Sequence, residues 1–234
     1  MILEEAGMRE THRFAFFILI NLLAPVILGQ VDQTRIDGAV SDVLERKVVV
    51  NDPSSLTIPD AFLRFLVGTR VPGGRVRMLG CESQEAQYDW ERLNSPLREA
   101  LDSIVSVDRL YTWHAEDRVI NLIPRSGIPS LLETHITEFR VNKATSARLA
   151  LSELLTLPEV KKRIAELRLS EGLNVMVIPS TSAPNQYQFD VNCKDVTLRD
   201  ALNAIARAHG RAVWSYTERY CNGKNMFSID FVVE

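Results

Sequence analysis

Three cysteines (Cys81, Cys193, Cys221), three of the four histidines (His114, His135, His209) and two tryptophans in matching settings (Trp113, Trp214) carry the most reactive or distinctive chemistry in this 234-residue chain. The histidines stand at no metal-ligand spacing of the HExxH kind, and no Cys-x-x-Cys pair accompanies them. A nucleophile elbow, a phosphate-binding loop and a dinucleotide fingerprint are all missing. Asp and Glu are spread along the surfaces of expected helices, where they read as solvated charge. The expectation is therefore a protein with no catalytic residue, no metal and no cofactor. An enzyme whose site is assembled from distant residues is the third reading. Trp113 alternates with Tyr111 and Ala115, and Trp214 with Ala212 and Tyr216, so each indole lies on one face of a strand. Such rings form either an aromatic platform for a peptide or glycan, or core packing against a helix. Their equal placement in two repeats favours the core.

What positions these residues is an internal repeat. Residues 97–104 read LREALDSI and residues 198–205 read LRDALNAI, an offset of 101 that also pairs Trp113 with Trp214 and Tyr88-Asp89 with Phe189-Asp190. Each copy starts with a strand (Gln87–Glu91; Gln186–Cys193) and a polar cap, Asn94-Ser95-Pro96 or Asp195-Val196-Thr197. A helix follows whose Leu97, Leu101 and Ile104, or Leu198, Leu202 and Ile205, share a face. Gly210 ends the second helix, after His209. Two strands complete each copy, joined near Glu116-Asp117 in the first and around Cys221-Asn222-Gly223-Lys224 in the second, where Asn-Gly signals a hairpin. Further strand–helix–strand patterns lie upstream: Lys47–Asn51, Ile58–Val67 and Arg75–Leu79, then Leu132–Val141, a helix from Ser146 to Leu167, and Asn174–Ile178. Pro158 is expected to kink or split that helix. The expected fold is α+β, two similar small domains of βαβ–βαββ order, each a small sheet with helices packed on one face. They span 44–124 and 131–234, with a linker at 125–130 and an N-terminal segment at 30–43.

In such a unit the hairpin tip lies at the same end as the helix start. Cys193, where its strand ends, and Cys221, at the tip, are then the disulfide candidates. Cys81 is left as a buried thiol or a loop residue.

The N-terminus bears on whether a disulfide can form. Arg9, His12 and Arg13 precede an uncharged run from Phe14 to Leu28. Its length of about 15 apolar residues suits a signal-peptide core better than a spanning helix of about 20. Residues 1–29 are read as a signal peptide, with a possible start at Met8 because the leader MILEEAG is acidic. An uncleaved inner-membrane anchor is the alternative. Either way the remainder is expected outside the cytoplasm, periplasmic or secreted, where disulfides persist. Contact with the membrane is expected only through the signal sequence. The formal charge of −3 comes with no basic tract, which argues against nucleic acid as a partner.

The string FDVNCKDVTLRDALNAIARAHGRAVWSY resembles the short N-terminal (STN) domain of secretins and TonB-dependent receptors, where a strand, a VTLRDAL-x-x-I helix and a Trp- or Tyr-bearing strand recur in this order. The resemblance covers residues 186–232 well and 87–123 more loosely. Such domains precede a membrane-embedded β-domain, which is not expected here, since Glu234 follows the last expected strand. What the resemblance implies is a periplasmic module that contacts another envelope protein and does no catalysis. Its partner and oligomeric state are unspecified. The alternative is a soluble binder of a small ligand or envelope glycan in a cleft between the two domains. The apolar residues of 146–167 are expected to pack on their own sheet and against the other domain, with an exposed groove-binding or dimerising surface as the alternative.

Overall fold

A computed structural model describes residues 42–51, 54–90, 93–172 and 188–233. The expected signal peptide, nearly all of the segment 30–43 and the strand Asn174–Ile178 lie outside the described residues. The fold is mixed α+β, as its periodicities imply, but its sheets are not arranged as two similar small domains. One six-stranded sheet draws on both halves of the chain. Its strands are β3 (Gly73–Leu79), β6 (Tyr111–Glu116), β7 (Val119–Pro124), β9 (Leu169–Glu171), β11 (Val213–Cys221) and β12 (Lys224–Val232). They run in the spatial order β6-β7-β3-β11-β12-β9. Three two-stranded ladders stand apart from it. β1 (Lys47–Val50) pairs with β5 (Leu93–Pro96), β2 (Ser54–Thr57) with β4 (Gln87–Trp90), and β8 (His135–Ala144) with β10 (Phe189–Thr197).

The separation into halves fails at β3. Both expected hairpins form, β6 with β7 and β11 with β12. β3 then lies between them, parallel to β7 on one side and to β11 on the other. Parallel pairing needs a long crossover and leaves no turn signal in the sequence, so local patterns cannot announce it. The GlyGly start of β3 is what lets it fit. A Cβ at Gly73 would collide with the Leu66 side chain and the Ile120 carbonyl, and one at Gly74 would fall within the Trp214 indole.

Helices cover both faces of this sheet rather than one. On one side lie α1 (Ile58–Thr69) and α2 (Leu97–Val107). Phe62, Phe65, Leu101 and Ile104 pack there with Ile120, Leu122 and Val213. On the other lie α3 (Ala147–Leu155) and α5 (Leu198–His209), with α4 (Pro158–Glu166) following α3. Leu151, Leu154, Leu202 and Ile205 pack there with Val76, Trp214 and Tyr216. Strand alternation sends Val213 to one core and Trp214 to the other, which is why β11 reads as a continuous apolar run at its start. The expected long helix is split before Pro158, as the missing N–H and ring of proline require. The expected cap Asn94-Ser95-Pro96 is instead strand β5, with Pro96 preceding α2 and no side-chain cap bond.

The repeat at offset 101 is visible in contacts as well as in letters. Trp113 Nε1 donates to Asp102 Oδ1 at 2.9 Å, and Trp214 Nε1 donates to Asn203 Oδ1 at 2.8 Å. In both copies an indole on the strand after the helix ties back to the same helical position. A second interval emerges from the sheet. β3 and β11 pair at a constant offset of 140, from Gly73↔Val213 to Leu79↔Arg219. The same interval relates their preceding helix starts. Thr57 Oγ1 donates to Asp60 Oδ2 at 2.7 Å, and Thr197 Oγ1 to Asp200 Oδ2 at 2.7 Å. Both Asp backbone N–H groups bond back to the threonine hydroxyl, so both helices start on the same Thr-x-x-Asp device.

Candidate interaction surface

The aromatic residues belong to the core. Trp214 and Tyr216 are fully buried and Tyr111 is buried, while Trp113 is half-buried. An aromatic platform needs open ring faces, so only the half-exposed Trp113 retains any surface for contact. Tyr216 donates to Glu218 Oε2 at 2.5 Å, and Tyr220 donates to Glu218 Oε1. Two phenols thus solvate a carboxylate that is itself buried. Burial, the bond to Glu218 and its charge push the Tyr216 hydroxyl well above its ordinary value of 10. Burial and the charge of Glu85 push Tyr111 up to about 12.

The disulfide joins Cys81 to Cys221, and Cys193 is a free thiol. The expected Cys193–Cys221 bridge is therefore corrected. It assumed that the strand bearing Cys193 lies in the same sheet as the hairpin, whereas β10 pairs with β8 in its own ladder, Cys193 opposite Phe139. Cys81 and Cys221 each sit two residues beyond the last in-register pair, Leu79↔Arg219, which brings their Cα atoms to 4.7 Å. The sequence did hold a signal for this pairing. The Thr-x-x-Asp starts and the two cysteines share one interval of 140, and equivalent positions of parallel neighbours are adjacent. A disulfide suggests an oxidising, extracytoplasmic environment. No helix among the described residues is long and apolar enough to cross a membrane.

Charge is concentrated where α1 meets the sheet. Arg75, only 4% exposed, pairs with Asp60 and donates through Nε to Ser215 Oγ at 3.0 Å. Arg77 pairs with Glu85, its Nε 2.7 Å from Oε1. Every ion has a partner of opposite sign, the arrangement that makes a buried charge tolerable. Burial would raise the Asp60 pKa, but the Arg75 charge and its hydrogen bond, with Thr57 and Arg77, hold it below its ordinary value. This network ties α1 to β3 and has no unpaired base or nucleophile. No group of three or more His, Cys, Asp or Glu able to hold a metal occurs among the described residues.

One strand edge that adjoins a groove among the described residues is the outer edge of β1. This strand has one neighbour, β5, among the described residues. The Leu97 N–H donates to the Arg46 carbonyl at 2.8 Å, so residue 46 faces the β5 side. Alternation then turns the backbone groups of Val48 and Val50 toward β5 and those of Lys47, Val49 and Asn51 outward. The lack of an N–H at Pro96 costs nothing, since it stands opposite the outward-facing Lys47. A groove of about 260 Å³ runs beside the strand, lined by Val48, Val49, Val50 and Asn51 together with Arg64 and Gly68 of α1. Val48 and Val50 are core residues, whereas Val49 is 59% exposed. Gly68 keeps the helix side of the groove low, because nothing lies within 4 Å of where its Cβ would be. No spacing in the sequence marks this edge, since only the position of α1 turns it into a groove.

Comparison with family models, curated proteins and solved structures finds no match for this chain.

Proposed function

We propose that the protein is an exported, non-catalytic interaction module of the bacterial envelope, STN-like in its repeated strand–helix–hairpin units, which accepts an extended segment of another envelope protein along β1. The observation that carries this reading is the outward-facing backbone of Lys47, Val49 and Asn51 beside a groove floored by Gly68. An unpaired strand edge supplies main-chain donors and acceptors for β-augmentation, and adjoining pockets supply side-chain selectivity. The disulfide supports the compartment.

The test uses the oxidised protein in its native envelope with a photo-crosslinking residue at Val49 and, as a control, at Leu110, which is 69% exposed. The reading expects a discrete protein adduct from position 49 and not from 110. It also expects loss of that adduct in Lys47→Pro, which removes an outward N–H while leaving the β1–β5 bonds intact. Equal labelling at both positions, or an adduct indifferent to the proline, would count against strand addition.

A further inference from the structure

We infer that the segment received along β1 is acidic, with an Asp or Glu side chain placed against Arg64; this rests on the strand-addition reading above. Among the described residues that line the groove, Arg64 is the charged one. It has no carboxylate partner among the described residues, in contrast to Arg75 and Arg77 on the same side of the sheet. Its guanidinium is instead held 5.9 Å over the ring of Trp90, a contact that fixes the cation without neutralising it. A guanidinium with no carboxylate beside it among the described residues is the complement of a carboxylate.

Further cations stand near the start of β1 and the end of α1. Lys47 is exposed at the start of β1, and Arg46 is anchored at the C-terminal end of α1 by donating to the Thr69 carbonyl at 3.2 Å and the Arg70 carbonyl at 3.4 Å. Arg70 itself caps that helix. Among the described residues, the acids Asp42 and Glu45 precede β1 and do not line the groove. A strand paired with β1 would therefore pass a row of cations on its way along α1, which favours negative charge on it. The planar fork of Arg64 suits a carboxylate better than a single carbonyl does.

The experiment measures binding of three acetylated, amidated nonapeptides of alternating Thr and Val, with Glu, Gln or Lys at the centre, to the full oxidised chain by fluorescence anisotropy. The Glu peptide is expected to bind about tenfold more tightly than the Gln peptide, and the Lys peptide more weakly still. Arg64→Gln is expected to erase the difference between Glu and Gln peptides while the Gln peptide binds as before. Equal affinity of all three for the unaltered protein overturns the charge inference and leaves strand addition standing. Loss of the Glu preference on freeing the C-terminal carboxylate of the Gln peptide, which then binds as well, assigns Arg64 to a chain terminus and also overturns it. Failure of every peptide to bind, or binding untouched by Lys47→Pro, overturns strand addition itself.

Discussion

Gly74 and Trp214 occupy one register position on two parallel strands, and the indole fills the space that a side chain at position 74 would need. The contact joins the first half of the chain to the core of the second. Gly74→Ala is expected to lower stability by at least about 2 kcal/mol, read as a fall in Tm, because the buried ring has nowhere to move. Gly68→Ala should do the reverse. No atom lies in the way there, and alanine gains about 0.5–1 kcal/mol over glycine within a helix. The same methyl group would narrow the β1 groove, so a more stable protein with weaker partner binding is the expected outcome.

The paired indole bonds differ in burial, and their removal should differ accordingly. Asn203→Leu leaves the Trp214 N–H without an acceptor in a fully buried site, at a cost of about 1–3 kcal/mol. Asp102→Leu frees the Trp113 N–H to water and is expected to cost less than about 1 kcal/mol. Chemical denaturation of both variants measures the contrast.

Reduction should act through one bridge. The Cys81–Cys221 link spans a sequence separation of 140, and closing so long a loop contributes about 5 kcal/mol on the chain-entropy account. Cys81→Ser, Cys221→Ser and the reduced protein are expected to share one lowered midpoint in urea. Cys193→Ser should leave the oxidised protein near its original midpoint. Burial, with the charge of Asp200, pushes the Cys193 thiol up, so it is expected to alkylate slowly at neutral pH.

Two groups set opposite ends of an acid-stability profile. Burial and the charge of Arg211 hold His209 below its ordinary 6.5. The unfolded chain then binds this proton more readily than the folded one. Its contribution is complete above the ordinary value and is lost as pH falls toward the folded value. His209→Phe is expected to flatten the dependence of Tm on pH between about pH 7 and about pH 5. Asp60, held below its ordinary 3.8, follows the same sign at lower pH: it stabilises above that value and ceases to as pH falls through its folded one. Asp60→Asn should remove that more acidic slope and lower stability at neutral pH, since Arg75 loses its counter-charge.

The contrast between what the sequence announced and what it withheld follows from range. Leu97, Leu101 and Ile104, like Leu198, Leu202 and Ile205, mark their buried helix faces because helical periodicity is local. Asn222-Gly223 marks its hairpin for the same reason. The pairing of β3 with β11 has no such marker, and what rests on it differs from expectation: the arrangement of the sheets as two similar small domains, the one-sided helices and the cysteine pairing. Its trace was an interval rather than a motif, shared by Thr57 and Thr197, Asp60 and Asp200, and Cys81 and Cys221. The groove was less legible still. Its lining joins Val49 to Arg64 and Gly68 across a packing contact, and no spacing rule connects a strand to the helix beside it.

The position of β3 between β7 and β11 also dictates a timetable. During synthesis β3 emerges long before β11, and the half of the sheet already made must wait with an unsatisfied edge of arginine, valine and methionine. Contacts this distant in sequence form slowly, and a waiting parallel edge is exposed to mispairing. The oxidation of Cys81 faces the same delay, because Cys193 becomes available before Cys221 does. The order of the chain thus permits a transient Cys81–Cys193 disulfide, which exchange with Cys221 would resolve to the native bridge.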